Sequence, residues 1–572
     1  MSGFHPIDIA VVLFYLVGIT ALGVWMARRV KTVTEFFMPR NFGKAMMITN
    51  AFGTGTASDQ AVTVAAETFR SGLSGIWWQW LWLFATPFYW IIAAIMRRLR
   101  ATTTADVYTL RYSHSVAVLF SVVGIVGLSV KIGLMLKGTS AIVDSCTAGY
   151  ISANWTIILV TIMFVVYGTA GGLSAAIVTD FIQGILTIIF SFLLLPFVFQ
   201  AVGGLSGIRE SIQNPEMMSL VVPGKIGVFF VIMYGIQALV GIVAQPFIMG
   251  VCASGRTEMD GRVGFMVGNI VKRLCTIAWS LTAIAAVAWY INRGVDLSTI
   301  NPDFVYGDVA RAFLPEVMPG LLGIFLASLL ASVMSSCDAF MISSSALFTE
   351  NIYKPTIRGK SERHYLTVGR LASLMVVLGG IYFAYKVPDV VTALKIWFKI
   401  APMMGIAFWM GLFWRRATVA GAWAATLTGF GVWWLTVQTA FVDFVAHLSF
   451  ADALDLVWQQ PGKDLVIYEP WGIVFYTVAA LAVGIVVSLF TKPVSEEKLN
   501  NFYALTRTPI TEGEVLTKTC TLPEGVSPAE RRMLVTAFGL EIPVPSLTSV
   551  LGFLGGWVAV AALIGGYVWF VS

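Results

Sequence analysis

Asn50-Ala51-Phe52-Gly53-Thr54-Gly55-Thr56-Ala57-Ser58-Asp59-Gln60 decides how this chain folds. The stretch lies inside an otherwise apolar segment long enough to cross a bilayer. Two glycines, several hydroxyls and a carboxylate sit where hydrocarbon selects leucine and valine. Backbone without helical bonding survives at membrane depth only where protein or a water-filled cavity covers it. An interrupted span is also the best sequence pointer to the ion and solute site of a secondary transporter. The expectation is a chain that moves a solute across a membrane.

The composition agrees. Of 572 residues, 57% are hydrophobic and 12% charged, and the mean hydropathy is +0.81. Such values exclude a soluble domain of this length and predict an all-α polytopic protein. Apolar stretches of eighteen or more residues read as membrane helices. They fall at roughly 8–27, 45–68, 75–96, 117–143, 154–171, 176–200, 226–252, 268–291, 318–348, 366–386, 391–413, 418–438, 470–490 and 549–570, or about fourteen spans. The first is too long, and too poor in a small-residue cleavage site, for a removable signal peptide.

Lys and Arg cluster in every second connection. The groups include Arg28, Arg29, Lys31, Arg40 and Lys44, then Arg97, Arg98 and Arg100, then Arg256, Arg262, Lys272 and Arg273. These connections are read as cytoplasmic, with both termini outside. They explain the pI of about 9.0, so nucleic acid need not be a partner. The polar, Pro-punctuated segment 491–548 then lies inside, as a tether to the last span.

The five cysteines (Cys146, Cys252, Cys275, Cys337 and Cys520) are scattered, which indicates neither a metal site nor a disulfide framework. No phosphate-cradling loop, nucleophile elbow or zinc motif occurs. Neither ATP hydrolysis nor an enzyme is expected.

Asp59, Lys131, Lys137, Asp180 and Asp338 all fall within expected spans. Each costs about 2.5–3.5 kcal/mol at the bilayer centre on insertion scales, so such groups face a bundle interior and have partners or a function. Ser332, Ser335, Ser336 and Ala339 share one helical face. Hydroxyls and carbonyls are hard oxygen ligands that suit an alkali cation binding weakly enough to leave. Serines also mediate close helix contact; the broken helix at Gly53–Thr56 favours the cation. Lys131 would either anchor a solute carboxylate or neutralise Asp59 or Asp338. Gln60, Gln79, Gln237 and Gln245 offer neutral donors and acceptors.

Three motifs resemble the sodium:solute symporter family: Glu35-Phe36-Phe37-Met38-Pro39-Arg40, Gly171-Gly172-Leu173-Ser174 running on to Asp180-Phe181-Ile182-Gln183, and Ser335-Ser336 followed by Ser343 to Lys354. The resemblance covers roughly 5–490 and implies a leucine-transporter-type core of two five-helix inverted repeats with broken first and sixth helices. The implied division is 1–44 (an extra helix and linker), 45–200 and 201–413 (the repeats), 414–490 (peripheral helices), 491–548 (the cytoplasmic segment) and 549–572 (the final helix). Carried onto matching positions, a sodium site would use the carbonyls of Gly53, Thr56 and Ser332 and the hydroxyls of Ser335 and Ser336. Gly53 and Ser332 stand where relatives often have alanine.

Asp180 matches the aspartate on the family's fifth core helix, from which some relatives build a second sodium site. Asp338 and Ala339 replace the serines used there, so that site would be altered, for a second cation or a proton. Asp59, Gln60, Gln79, Lys131 and Gln245 match positions of solute contacts in different relatives. The resemblance implies sodium-coupled symport of a small polar solute in a bacterial inner or plasma membrane, with an acidic sugar or other carboxylate slightly favoured over a neutral sugar. A solute-binding membrane sensor and a proton-coupled carrier are the alternatives.

Overall fold

The computed structural model describes residues 5–28, 36–459, 464–511, 513, 514, 516 and 518–572. Glu35 of the first motif, and Arg29 and Lys31 of the first basic connection, lie outside them. Helix α1 (Pro6–Ala27) starts with proline in its first turn and a reciprocal cap between His5 and Asp8. Buried Asp8 also reaches beyond its own helix. Its Oδ1 accepts from the Gly323 amide at 2.7 Å, pinning the extra helix to the core.

The interrupted span is broken where its sequence says. Helix α2 (Lys44–Gly55) ends at Gly55, Thr56 and Ala57 are extended, and α3 (Ser58–Ser71) resumes. Thr56 and Ala57 are among the most buried residues of the protein, as exposed non-helical backbone in lipid is not tolerated. Helix α4 (Thr86–Arg98) follows, then α5 (His114–Cys146). Gly138 on α5 lets α3 close in, because a Cβ there would stand 2.7 Å from the Asp59 Cα.

Helix α6 (Ala153–Phe192) joins two expected spans across a kink at Gly172, which has φ +59 and ψ −167. A side chain there would meet Phe36 at 2.5 Å, so two of the three motifs are packing partners. The second broken span is α7 (Val228–Ile242) and α8 (Ile248–Ala253), with Gln245-Pro246 between them. The core closes with α9 (Glu258–Asn292), α10 (Leu321–Ala346), α11 (Glu362–Lys386) and α12 (Val390–Phe413). Outside it lie α13 (Val419–Thr436), α14 (Glu469–Phe490), α15 (Glu496–Arg507) and α16 (Leu547–Val571).

The count of fourteen spans is not established by the structure. Among the described residues, ten helices are long and apolar enough to cross a membrane, or eleven if the bent pair Val419–Thr436 and Thr439–Ala446 is one span. The difference falls on interrupted elements. Lys44–Gly55 has only 12 residues, and Ala153–Val166 and Val228–Ile242 are apolar but short.

The third basic group requires a correction: Arg262, Lys272 and Arg273 all lie inside α9 and are buried, rather than in a connection, and the last two already fall within the expected span 268–291. The helix starts at Glu258 because Thr257 and Asp260 cap it reciprocally, with Asp260 N to Thr257 Oγ1 at 3.2 Å and Thr257 N to Asp260 Oδ2 at 3.0 Å. The polar segment is also more than a tether. The Arg100 guanidinium meets Glu514 at 2.7 Å with both side chains buried, and Arg98 meets Glu258 through two bonds of 2.7 Å. Ile510 N donates to the same Glu258 at 3.0 Å, docking the segment on the core.

Candidate ion and solute site

Two polar neighbourhoods flank the break in the α2–α3 span. The first joins α2, α6 and α10. Ser335 Oγ donates to Asp180 Oδ1 at 2.5 Å, and Ser336 Oγ donates to the Gly53 carbonyl at 2.9 Å. A Cβ on Gly53 would come within 2.6 Å of Ser335 Oγ and 3.6 Å of Asp180 Cγ, so glycine is what lets these groups converge. Thr56 is adjacent, its amide donating to the Gly53 carbonyl at 3.2 Å, while its own buried hydroxyl finds no protein partner among the described residues. Ser332 lies one turn away on α10 with its hydroxyl returned to the Leu329 carbonyl at 2.7 Å.

Gly53, Ser335, Ser336 and Asp180 are thus in direct contact, a set of oxygen atoms buried on every side. The Asp180 Oδ2 atom, and both carboxylate oxygens of Asp338, are buried with no hydrogen-bond partner among the described residues. A carboxylate in that setting calls for a cation or a proton. Asp338 is not hydrogen-bonded to Asp180, so those two residues are near the same helices without forming a pair.

The second neighbourhood is a cavity of about 40 Å³ on the other side of the break. Gln60, Lys131 and Gln245 line it, together with Lys272, Arg273 and Trp397. Lys131 Nζ is 2.6 Å from Asp59 Oδ2 and sits 4.5 Å from the Trp397 ring centre. Of the readings left open for Lys131, pairing with Asp59 is the one made here. Asp59 Oδ1 has no partner among the described residues.

The Gly55 carbonyl, at the C-terminal end of α2, accepts from both Gln60 Nε2 (2.6 Å) and the Lys272 ammonium. A helix C-terminus carries partial negative charge, which holds a cation there. Gln79 is set back from the cavity wall, its main-chain carbonyl accepting from Arg273 Nη1. Lys272 and Arg273 are cavity residues that the sequence reading assigned to a connection. Their position within the expected span 268–291 already places them in a helix, and the capping pair Thr257–Asp260 was the signal that could have extended it back to Arg262.

A cavity of 40 Å³ holds a few waters at most. Admitting an organic solute would require this cavity to widen.

A helical membrane bundle with paired broken helices, buried oxygen atoms converging at one break and a basic cavity beside it is the architecture of a secondary transporter. The chain belongs to the Sodium:solute symporter family, whose sequence model matches residues 36–429. It is 24% identical over 440 residues to a sodium/pantothenate symporter of Haemophilus influenzae, covering 73% of this chain and 88% of that protein. It is also 24% identical over 575 residues to the human sodium/glucose cotransporter 4, covering 90% and 80%. A solved structure of a Na+-coupled sialic acid symporter, substrate-bound and outward-open, superposes with a TM-score of 0.68 at 16% identity, covering 86% of this chain and all of that one. At that identity the likeness establishes the leucine-transporter-type fold. The protein is a multi-pass transporter of the inner or plasma membrane and not an enzyme, and sodium-coupled solute symport is its class of activity.

Proposed function

We propose that this protein carries a small carboxylate-bearing solute, an acidic sugar or another organic acid, together with sodium. The observation that carries the reading is the charge of the cavity wall. Lys131, Lys272 and Arg273 stand there, and among the described residues Asp59 is the one carboxylate paired with any of them. A neutral sugar would leave that excess of basic groups unanswered, at a cost in low dielectric. An acid would accept from Lys272 in place of the Gly55 carbonyl. The named solutes of two relatives, pantothenate and sialic acid, are carboxylates and agree; glucose, named for a third, does not.

In this reading sodium binds where Gly53, Thr56 and Ser332 offer carbonyls and Ser335 and Ser336 offer hydroxyls. Asp180 and Asp338 hold a second cation or a proton. Coupling has a charge requirement. One sodium and one monovalent acid move no net charge, so the membrane potential contributes nothing. A second cation restores about 2.3 kcal/mol per charge per 100 mV. Alternating access rocks one set of helices against the other around the midplane site.

The test is uptake into proteoliposomes under an inward sodium gradient, with a panel of sialic acids, uronic acids, monocarboxylates, proline and neutral sugars. Sodium-dependent, saturable uptake of an acid, abolished in its amide or ester, supports the proposal. Preferential uptake of a neutral sugar refutes the carboxylate assignment, and acid uptake indifferent to sodium refutes the coupling.

A further inference from the structure

A second and much larger cavity, about 930 Å³, lies on the flank of the bundle and shares no wall residue with the solute cavity. Ile92 of α4, Val240 of α7, Ile406 of α12 and Leu481 of α14 form its apolar wall. One end is basic: Arg98, Arg262, Arg507 and Arg531 line it beside the carboxylate Glu541.

The charges at that end do not balance. Glu258 serves both Arg98, at 2.7 Å, and Arg262, at 3.7 Å. Glu541 serves both Arg507 and Arg415, the latter at 2.8 Å, and Arg415 has Glu496 as a second partner; that still leaves two carboxylates, Glu258 and Glu541, for the four arginines of the wall. Arg531 donates from Nε to the Arg507 carbonyl at 3.1 Å and has no ion-pair partner among the described residues. Burial, and then the Arg98 guanidinium, hold its pKa below the ordinary arginine value.

The mouth of the cavity is apolar outside the spans as well. The antiparallel pair Met533–Val535 and Ile542–Pro543 belongs to the otherwise polar segment. It brings Leu534 (66% exposed) and Phe538 (92% exposed) to the mouth, beside Leu481 (42%) on α14. Such side chains suit the headgroup boundary rather than water.

An apolar space of this size, left without partner atoms, forfeits the dispersion contacts of its whole lining. Water gains little where polar partners are few. In a bilayer, acyl chains are at hand. Arginine clusters bind phosphate oxygens through paired donors, and basic groups at the cytoplasmic boundary attract anionic lipids.

We propose that this groove binds an anionic phospholipid of the cytoplasmic leaflet, with its acyl chains against α4, α7, α12 and α14 and its phosphate at Arg531 and Arg507. The site is independent of which solute is carried.

The full-length protein, purified in a neutral detergent, is titrated with dioleoyl phosphatidylglycerol and separately with dioleoyl phosphatidylcholine, and binding is read by native mass spectrometry and by Tm. Saturable retention of phosphatidylglycerol with a raised Tm, and no such effect of phosphatidylcholine, is expected. Arg531→Gln should weaken retention about fivefold, the worth of one basic group at an anionic lipid surface. Leu481→Trp, which crowds the wall without touching an arginine, should weaken it too and serves if the arginine variant does not fold. Equal retention of both lipids, or undiminished binding in either folded variant, overturns the proposal. So does equal stabilisation by glycerol phosphate, which has the head without the chains. A dimer that disappears in Leu481→Trp would show a second copy in the groove and overturn it as well.

Discussion

Ser335 and Asp180 are joined directly, hydroxyl to carboxylate at 2.5 Å across the α10–α6 interface. The sequence assigned these residues to two separate cation sites. The contact makes them one unit, because a cation drawing on the Ser335 hydroxyl oxygen alters the partner of Asp180. Ser335→Ala should lower the apparent sodium affinity of uptake about tenfold. In a double-mutant cycle with Asp180→Asn the coupling should be about 0.5–3 kcal/mol, the range for residues in contact. Strict additivity would separate the two sites again.

Gly53→Ala should also weaken sodium. The new methyl carbon at 2.6 Å from Ser335 Oγ turns that hydroxyl away from Asp180, while the Gly53 carbonyl stays available. A sodium titration of uptake checks this: a several-fold higher half-saturation with unchanged maximal rate is expected.

Lys131→Gln leaves the buried Asp59 carboxylate without its ion pair. Removing one partner of such a pair costs about 3–5 kcal/mol, whereas removing both is far milder. The Tm of Lys131→Gln should fall, and Asp59→Asn on top of it should recover most of the loss. Uptake should stay low in both, which separates the stability role from transport.

Lys272→Met frees the Gly55 carbonyl of one donor and strips a basic group from the cavity. Folding should be kept, since Lys272 has no ion-pair partner among the described residues that its loss would leave as an unpaired charge. The half-saturating concentration of the acid should rise by about tenfold or more, as expected for a lost charge-assisted bond. Comparison with a neutral analogue checks it, since that analogue should be unaffected.

Asp338→Asn removes a buried charge that has no hydrogen-bond partner among the described residues. If Asp338 holds a second cation, the Hill coefficient for sodium should fall towards one. Uptake of a monovalent acid should also lose its response to an inside-negative potential. Unchanged stoichiometry and potential dependence would remove Asp338 from the coupling mechanism.

By itself the sequence determined that this is a helical membrane protein broken at Gly53–Thr56, because hydrocarbon enforces rules on apolar length and backbone bonding that can be read residue by residue. The second break, near Gln245-Pro246, lies inside a stretch that reads as one continuous span; the resemblance implied a broken sixth helix, and only the structure places it there. The interruption between 171 and 176 reads as a connection between two spans; the structure makes it a kink at Gly172. The sequence also singled out Asp59, Lys131, Asp180 and Asp338 as charges needing an explanation. It could not choose partners: Lys131 had Asp59, Asp338 and a solute as equal claimants, and only the approach of α5 to α3 at Gly138 decided for Asp59. Lys272 and Arg273 fall inside the expected span 268–291 yet group with the basic connection because charge marks a loop, and only the packed helix carries them into the cavity. The joining of Ser335 to Asp180, the set-back position of Gln79 and the flank groove at Arg531 are likewise products of distant segments meeting. Local sequence fixes which groups are costly in a membrane; tertiary packing decides what each one meets.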